Sequence, residues 1–394
     1  MFLLPPFLRP IAPVPPCRDG RPAPRRPRPR RLSPLLAALR RASGPIASTI
    51  AAAGAAAMLL ALAVPAAAQT AVSGAGSTAV FPVIGRWAVT FQEKTGIAVD
   101  YRPLGVTGGL EQYDDGTVTF VLIDGPPDAR RIDGQSDVAF PLLVDAVVPV
   151  ANLPGLATPL TLDAATLGGL MTGAIGRWSD PRLAALNPGV TLPDLAVAPV
   201  VRADPAGETA VLTGFLAADP AFAAAVGAGE AVAWPVGKAV RGGAEVAAAV
   251  AATPGAVGYV AAADLPAGGA GSVQLKTADG SVAVFSPAGL AITAQAAADA
   301  AAGPDGFAAA LAARRGGGDW PLAFAVVAAL DAVPQDPDAT VAALKFLASI
   351  LADDAAVEAA GMAPLPPPLA AGVETMWAER FRSADKPLWP PQGR

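Results

Sequence analysis

The chain contains no histidine and only one cysteine, Cys17, in 394 residues. The commonest general base is therefore missing, and with it a serine–histidine–aspartate triad. A structural zinc, which needs about four nitrogen or sulfur ligands, is excluded as well. A lone cysteine leaves no internal disulfide. Charged residues make up only 15% and aromatic residues only 6% of the chain. Beyond residue 64 no apolar run approaches the roughly 20 residues that a membrane span requires. The bulk of the protein is thus expected to be soluble. Nothing in the sequence supplies a metal cluster or an activated nucleophile, so no enzyme activity and no cofactor are expected.

What is present begins with a strongly polarised N-terminus. Residues 1–44 hold ten arginines against one acid, Asp19. An apolar stretch from Pro45 to Val64 follows, and then Ala66-Ala67-Ala68-Gln69. A basic segment, an apolar segment and small residues at a cleavage point form a secretory leader. Cleavage is expected after Ala68, placing the product in the periplasm or outside the cell; the alternative is a retained membrane anchor. From Gln69 onward there are 18 basic and 32 acidic residues, a net charge of −14. That balance argues against nucleic acid as a partner. It also requires any anion site to work through local donors rather than long-range attraction.

The remaining chain alternates strand and helix. A short strand at 70–73 runs into Gly74-Ala75-Gly76, and a helix is predicted from Ser77-Thr78 to Lys94, with Val80, Ile84, Trp87 and Phe91 on one face. Strands are predicted at 97–104 and 117–123, and a crossing strand at 138–150. A second unit has strands at 195–201 and 255–260, a helix from near Gly207, and alanine-rich helices over 221–233 and 244–252. The chain returns through 320–330 and finishes in a helix at 338–351. Such alternation implies largely parallel sheets covered by helices, an α/β fold.

Three glycine-bearing turns, Gly74 to Ala79, Gly105 to Gly109 and Arg202 to Thr209, each follow a strand and open a helix. Helix starts expose unpaired N–H groups at the positive end of the macrodipole, which suits anions. In doubly wound sheets such turns collect where ligands bind. Asp124 ends its strand at the same edge.

These stretches, with Phe140-Pro141, Asn152-Leu153-Pro154-Gly155, Arg202-Ala203-Asp204, Trp234-Pro235, Pro254 to Val260 and Asp319-Trp320-Pro321, occur in an order and spacing that resembles the periplasmic phosphate-binding proteins of phosphate ABC transporters. The resemblance implies a two-lobed periplasmic-binding-protein fold of type II, each lobe a mostly parallel sheet flanked by helices, with a ligand cleft between them. It implies a first lobe of residues 69–150 plus 322–394 and a second of 151–321. It implies that Thr78 donates its hydroxyl, and Ala79 beside Ser77 its backbone N–H, to phosphate. Arg202 would pair with phosphate oxygens and Asp204 would hold that arginine. Asp124 would accept a hydrogen bond from protonated phosphate and repel unprotonated sulfate. Gly207 would donate from the second lobe's helix start. Taken locally, Thr78 also suits an N-cap, Asp124 a turn, and Arg202–Asp204 a surface ion pair.

The sequence departs from that family at the site itself. Ala79 stands where a larger aromatic residue is common, and Val106 stands at a hydroxyl position, with Thr107 beside it. Pro205 removes an N–H donor. Ala206 and Glu208 replace a serine and a threonine, with Thr209 one place later. Losing three hydrogen bonds to a charged ligand would cost on the order of 5–9 kcal/mol. The sequence therefore leads to two expectations. One is a monomeric, exported receptor that captures phosphate or a related oxyanion for a membrane permease. The other is a scaffold that has lost tight binding and acts as an exported interaction or assembly protein.

Overall fold

The computed structural model describes residues 71–125, 136–156, 158–265 and 271–390. The leader and its cleavage point lie outside these residues. The described residues belong to one compact unit that begins at Ala68.

Strand β1 (Ala71–Gly76) is followed by α1 (Phe81–Thr95), β2 (Ala98–Arg102), α2 (Gly105–Asp114) and β3 (Phe120–Asp124). The 15-residue β4 (Asp137–Ala151) comes next. Then come β5 (Thr161–Leu162), α3 (Ala164–Thr172), α4 (Pro181–Leu186), β6 (Ala198–Arg202), α5 (Gly207–Leu216) and α6 (Pro220–Ala225). They are followed by β7 (Lys238–Val240), α7 (Gly243–Ala252), β8 (Ala256–Ala261), β9 (Gln274–Lys276) and β10 (Val282–Ala283). Helices α8 (Pro287–Ala300) and α9 (Pro304–Ala312) precede β11 (Ala323–Asp331). Helices α10 (Pro337–Leu351), α11 (Asp354–Ala359) and α12 (Pro367–Arg380) come after it.

Eight of these strands form one mixed sheet in the order β2-β1-β3-β11-β4-β8-β6-β7. Each end of it is parallel: β2, β1 and β3 at one end, β8, β6 and β7 at the other. β11 runs antiparallel to both β3 and β4. β4 joins the two ends, pairing with β11 through Ala146 and with β8 from Val147 onward. Its run of apolar residues is almost wholly buried, as expected of a strand covered on both faces. This is the crossing strand predicted from residues 138–150.

Local chemistry explains the helix ends. α1 buries Val83, Ile84, Trp87 and Phe91 on one face and stops at Gly96, whose φ of 74° leaves its N–H free to reach the Gln92 carbonyl. It starts at Phe81, not at Ser77: Ser77 and Thr78 sit in the turn before it. α3 opens on a capping box in which Asp163 and Thr166 satisfy each other's backbone N–H groups. The alanine-rich segment 221–233 is helical only through Ala225, because Gly227 takes a φ of 79° and breaks it. The chain does not finish at Leu351; α11 and α12 follow, and α12 buries Trp377 against Phe140, 4.9 Å between ring centres.

Candidate functional site

The turns expected to gather at one edge do meet there. The loop from β1 to α1 carries Ser77 and Thr78, β3 ends at Asp124, β6 ends at Arg202, and α5 begins at Gly207. Thr78 and Asp124 belong to the β2-β1-β3 end of the sheet, whereas Arg202, Asp204 and Glu208 belong to the β6-β7 end.

Arg202 is the centre of the cluster. Its side chain is 2% exposed, and it binds Asp204 through two bonds, Nε to Oδ1 at 3.0 Å and Nη2 to Oδ2 at 2.6 Å. The fork geometry of guanidinium and carboxylate makes this the stronger kind of ion pair. Gly242 donates its N–H to Asp204 as well, at 3.2 Å, so the carboxylate is itself fixed. Nη2 also reaches the Thr78 hydroxyl at 3.4 Å, from the opposite end of the sheet. Burial alone would lower the Arg202 pKa, but the bonds to Asp204 and the charge of Glu208 outweigh it and raise the value.

Glu208 fills the remaining side of Arg202. Its side chain is 1% exposed; Oε1 accepts from Nη1 at 2.9 Å, and Oε2 accepts from the Thr78 hydroxyl at 3.2 Å. At the position expected to hold a threonine's hydroxyl donor stands a carboxylate. It is held by Arg202 and Thr78 themselves, in the first turn of α5 where negative charge is favoured.

Asp124 faces Gly207. A methyl group on Gly207 would overlap the Asp124 carboxylate, so only glycine permits this approach. Both Asp124 oxygens are buried without a hydrogen-bond partner. Burial raises its pKa well above the ordinary carboxylate value; Glu208 adds to the rise and Ser77 opposes it. Ser77 is fully buried, with its oxygen accepting from Val80 N–H at 3.4 Å and its carbonyl accepting from the Tyr101 hydroxyl at 2.9 Å. Ala79 is buried against the core.

Two of the sequence-predicted residues lie apart from Arg202. Thr107 is exposed on α2 and gives both its hydroxyl and its N–H to Glu230, at 3.0 and 3.3 Å. Val106 packs against the core. Thr209 is buried and shares a 2.8 Å hydrogen bond with the Tyr259 hydroxyl, which lies 3.4 Å from Arg202 N–H.

Sequence reasoning missed Glu230, Tyr259 and Asp264. Tyr259 lies in the 254–260 stretch noted for its strand, but a tyrosine in a buried strand gives no local sign of facing an arginine. Burial lifts the Tyr259 pKa to about 12. Asp264 lies close enough for burial, with help from Glu208, to lift its pKa to about 6. Glu230 follows a glycine-rich turn and carries no motif. Beside the cluster is a cavity of about 230 Å³ lined by Thr78, Phe81, Arg202, Asp204, Arg241 and Asp264. A larger cavity, about 540 Å³ and lined by Val150, Leu156, Val250 and Val273, lies elsewhere and has no charged group. Among the described residues no group of acids is arranged to hold a metal ion.

The geometry is that of a cleft between two parallel sheet ends, with an arginine, a hydroxyl and a helix start converging in it. A family model described as the PBP superfamily domain matches residues 63–313. The chain belongs to this family. Among curated proteins, the phosphate-binding protein PstS of Pasteurella multocida is 36% identical over 151 residues, which cover 38% of this chain and 44% of that protein. The protein of the same name from Haemophilus influenzae is 33% identical over 154 residues, 39% of this chain and 46% of that protein. The chain thus spans about half the length of the curated relatives it matches. Among solved structures, the phosphate-binding protein from Stenotrophomonas maltophilia superposes with a TM-score of 0.60 at 19% identity, covering 81% of this chain and 97% of its own. An ABC-type phosphate transport receptor from Vibrio cholerae gives 0.51 at 15% identity, covering 75% and 100%. These likenesses show the two-lobed α/β fold of the PBP superfamily.

Proposed function

We propose that the protein is an exported, non-catalytic receptor that binds phosphate or a related oxyanion between its lobes and presents it to the permease of an ABC transporter. The lobes are taken as residues 69–150 with 322–394, and 151–321, and the working form as a periplasmic monomer. The single observation that carries this reading is the convergence of Arg202 and Thr78 from opposite ends of the sheet onto one carboxylate. Donors that seat a two-oxygen anion are suited to an oxyanion. Asp204 holds Arg202 in place for the task, and Asp124, beneath Gly207, stands where a ligand's hydroxyl would meet it. The names of the curated relatives agree with phosphate as the ligand.

Titration calorimetry with phosphate, arsenate and sulfate tests the proposal. Phosphate and arsenate are expected to bind with micromolar or weaker dissociation constants, and sulfate to give no heat. Arg202→Ala should abolish binding. It should also destabilise the fold by about 3–5 kcal/mol in chemical denaturation, because it leaves Glu208 as a buried uncompensated charge. Absence of both heat and thermal shift at millimolar phosphate would overturn the receptor reading in favour of a ligand-free interaction scaffold.

A further inference from the structure

We infer that Glu208 is a built-in ligand: its carboxylate occupies the anion seat and draws the two ends of the sheet together, so that an incoming oxyanion must displace it. This rests on the proposed reading of the cleft, and it assigns that cleft a regulatory part.

The geometry is that of ligation rather than of a chance surface pair. Both Glu208 oxygens are used, one on Arg202 and one on Thr78, and the side chain is buried. Thr78 is far from Glu208 in sequence and belongs to the other end of the sheet, so the contact spans the cleft. Arg202, already bound twice to Asp204, spends its remaining edge on Glu208 and Thr78. A free oxyanion would have to take those same donors.

Other contacts show the cleft closed around this carboxylate. Thr107 on α2 bonds to Glu230 on the far side, and Gly207 lies directly over Asp124. Gly105 faces Pro205 across the same gap, and an added methyl there would come to 3.0 Å from the Pro205 carbonyl. The protein is thus closed on one of its own residues. A tethered group acts at an effective concentration of about millimolar or more, so it competes with free anion at any lower concentration. The adjoining cavity, lined by Arg241 but also by Asp204, Glu245 and Asp264, is the open approach to Arg202. A receptor of this kind responds to abundant oxyanion and ignores traces.

Small-angle scattering and calorimetry on wild type, Glu208→Thr and Glu208→Gln test the inference. Wild type should show the same radius of gyration with and without phosphate. Both variants should be expanded without phosphate, contract when it is added, and bind it at least tenfold more tightly than wild type. Wild type contracting on phosphate as far as the variants do, or equal affinities in all three proteins, would overturn the built-in ligand while leaving phosphate binding intact. Variants that expand yet never take up phosphate would support the latch and overturn the phosphate reading. Contraction of the wild type on adding phosphate would overturn the latch even if a variant does not fold.

Discussion

Asp145 places two backbone N–H groups on one oxygen, from Ala146 at 2.7 Å and Ala262 at 3.3 Å, and nothing on the other. It is fully buried in β4 at the point where that strand changes partners. Burial lifts its pKa to about 7; the two N–H bonds oppose the rise and Glu208 adds to it. The folded state therefore holds the proton more tightly than the unfolded chain does. The stability gained from that is complete below about pH 4 and is lost as pH rises through about 7, on the order of 4 kcal/mol in all. Asp145→Asn stays neutral throughout. Its urea midpoint should gain on wild type between about pH 4 and about pH 7 and level off above that; a gap independent of pH would show that Asp145 ionises in the fold as readily as in the unfolded chain. Some residues of the site were legible in the sequence, since Arg202, Asp204, Asp124 and Gly207 lie in short motifs whose order can be read. The partner of Glu208 was not legible. Its charge and helix position can be read from the chain, but that it turns onto Arg202 and Thr78 depends on two segments meeting in space.

At the scale of elements, glycines decide how closely helices and strands approach. Gly109 on α2 lies directly against the backbone of Gly76 at the end of β1, where an added methyl would overlap it. Gly85, midway along α1, is exposed and has open space beside it. Gly109→Ala should cost about 1–3 kcal/mol or more through forced displacement of the strand. Gly85→Ala should gain roughly 0.5–1 kcal/mol from helix propensity alone. Thermal unfolding of the two variants reads both, and a neutral Gly109→Ala would mean that α2 can shift away from β1. The periodic stripe Val80, Ile84, Trp87, Phe91 made α1 readable, but its first turn was not, because Ser77 uses its oxygen to close the turn onto Val80 instead of capping a helix. Alanine runs misled for a related reason. Alanine favours helix without demanding it, so residues 226–233 take the course that Gly227 and the packing around Trp234 impose.

For the whole molecule, charge and ligand chemistry pull in opposite directions. From Gln69 onward the net charge is −14, so the average field repels an oxyanion even though its seat holds an arginine. Salt screens the distant acids far more than it screens the buried Arg202. Raising sodium chloride from about 20 mM to about 200 mM should therefore speed phosphate association and leave the affinity level or higher. A steep loss of affinity with salt, measured by stopped flow and calorimetry, would place binding on surface cations instead of in the cleft. The α/β plan and its crossing strand were readable because strand–helix alternation and the long apolar run of β4 persist whatever the side-chain details, while the two lobes came from the family resemblance. The central place of β11 was not, since pairing order in a sheet leaves no mark on a strand's own sequence.

That placement has a further consequence for how the chain is made. β11 lies between β3 and β4, yet residues 125–322 separate it from β3. Until Ala323–Asp331 is delivered, β3 and the first half of β4 both lack the neighbour that pairs with them in the finished sheet. Exposed edges of this kind are ready templates for mispairing, and contacts so distant in sequence form slowly. The sheet can be completed only after most of the polypeptide has been produced, so a chain cut short before Ala323 would leave two sticky, apolar seams in place of a smaller domain.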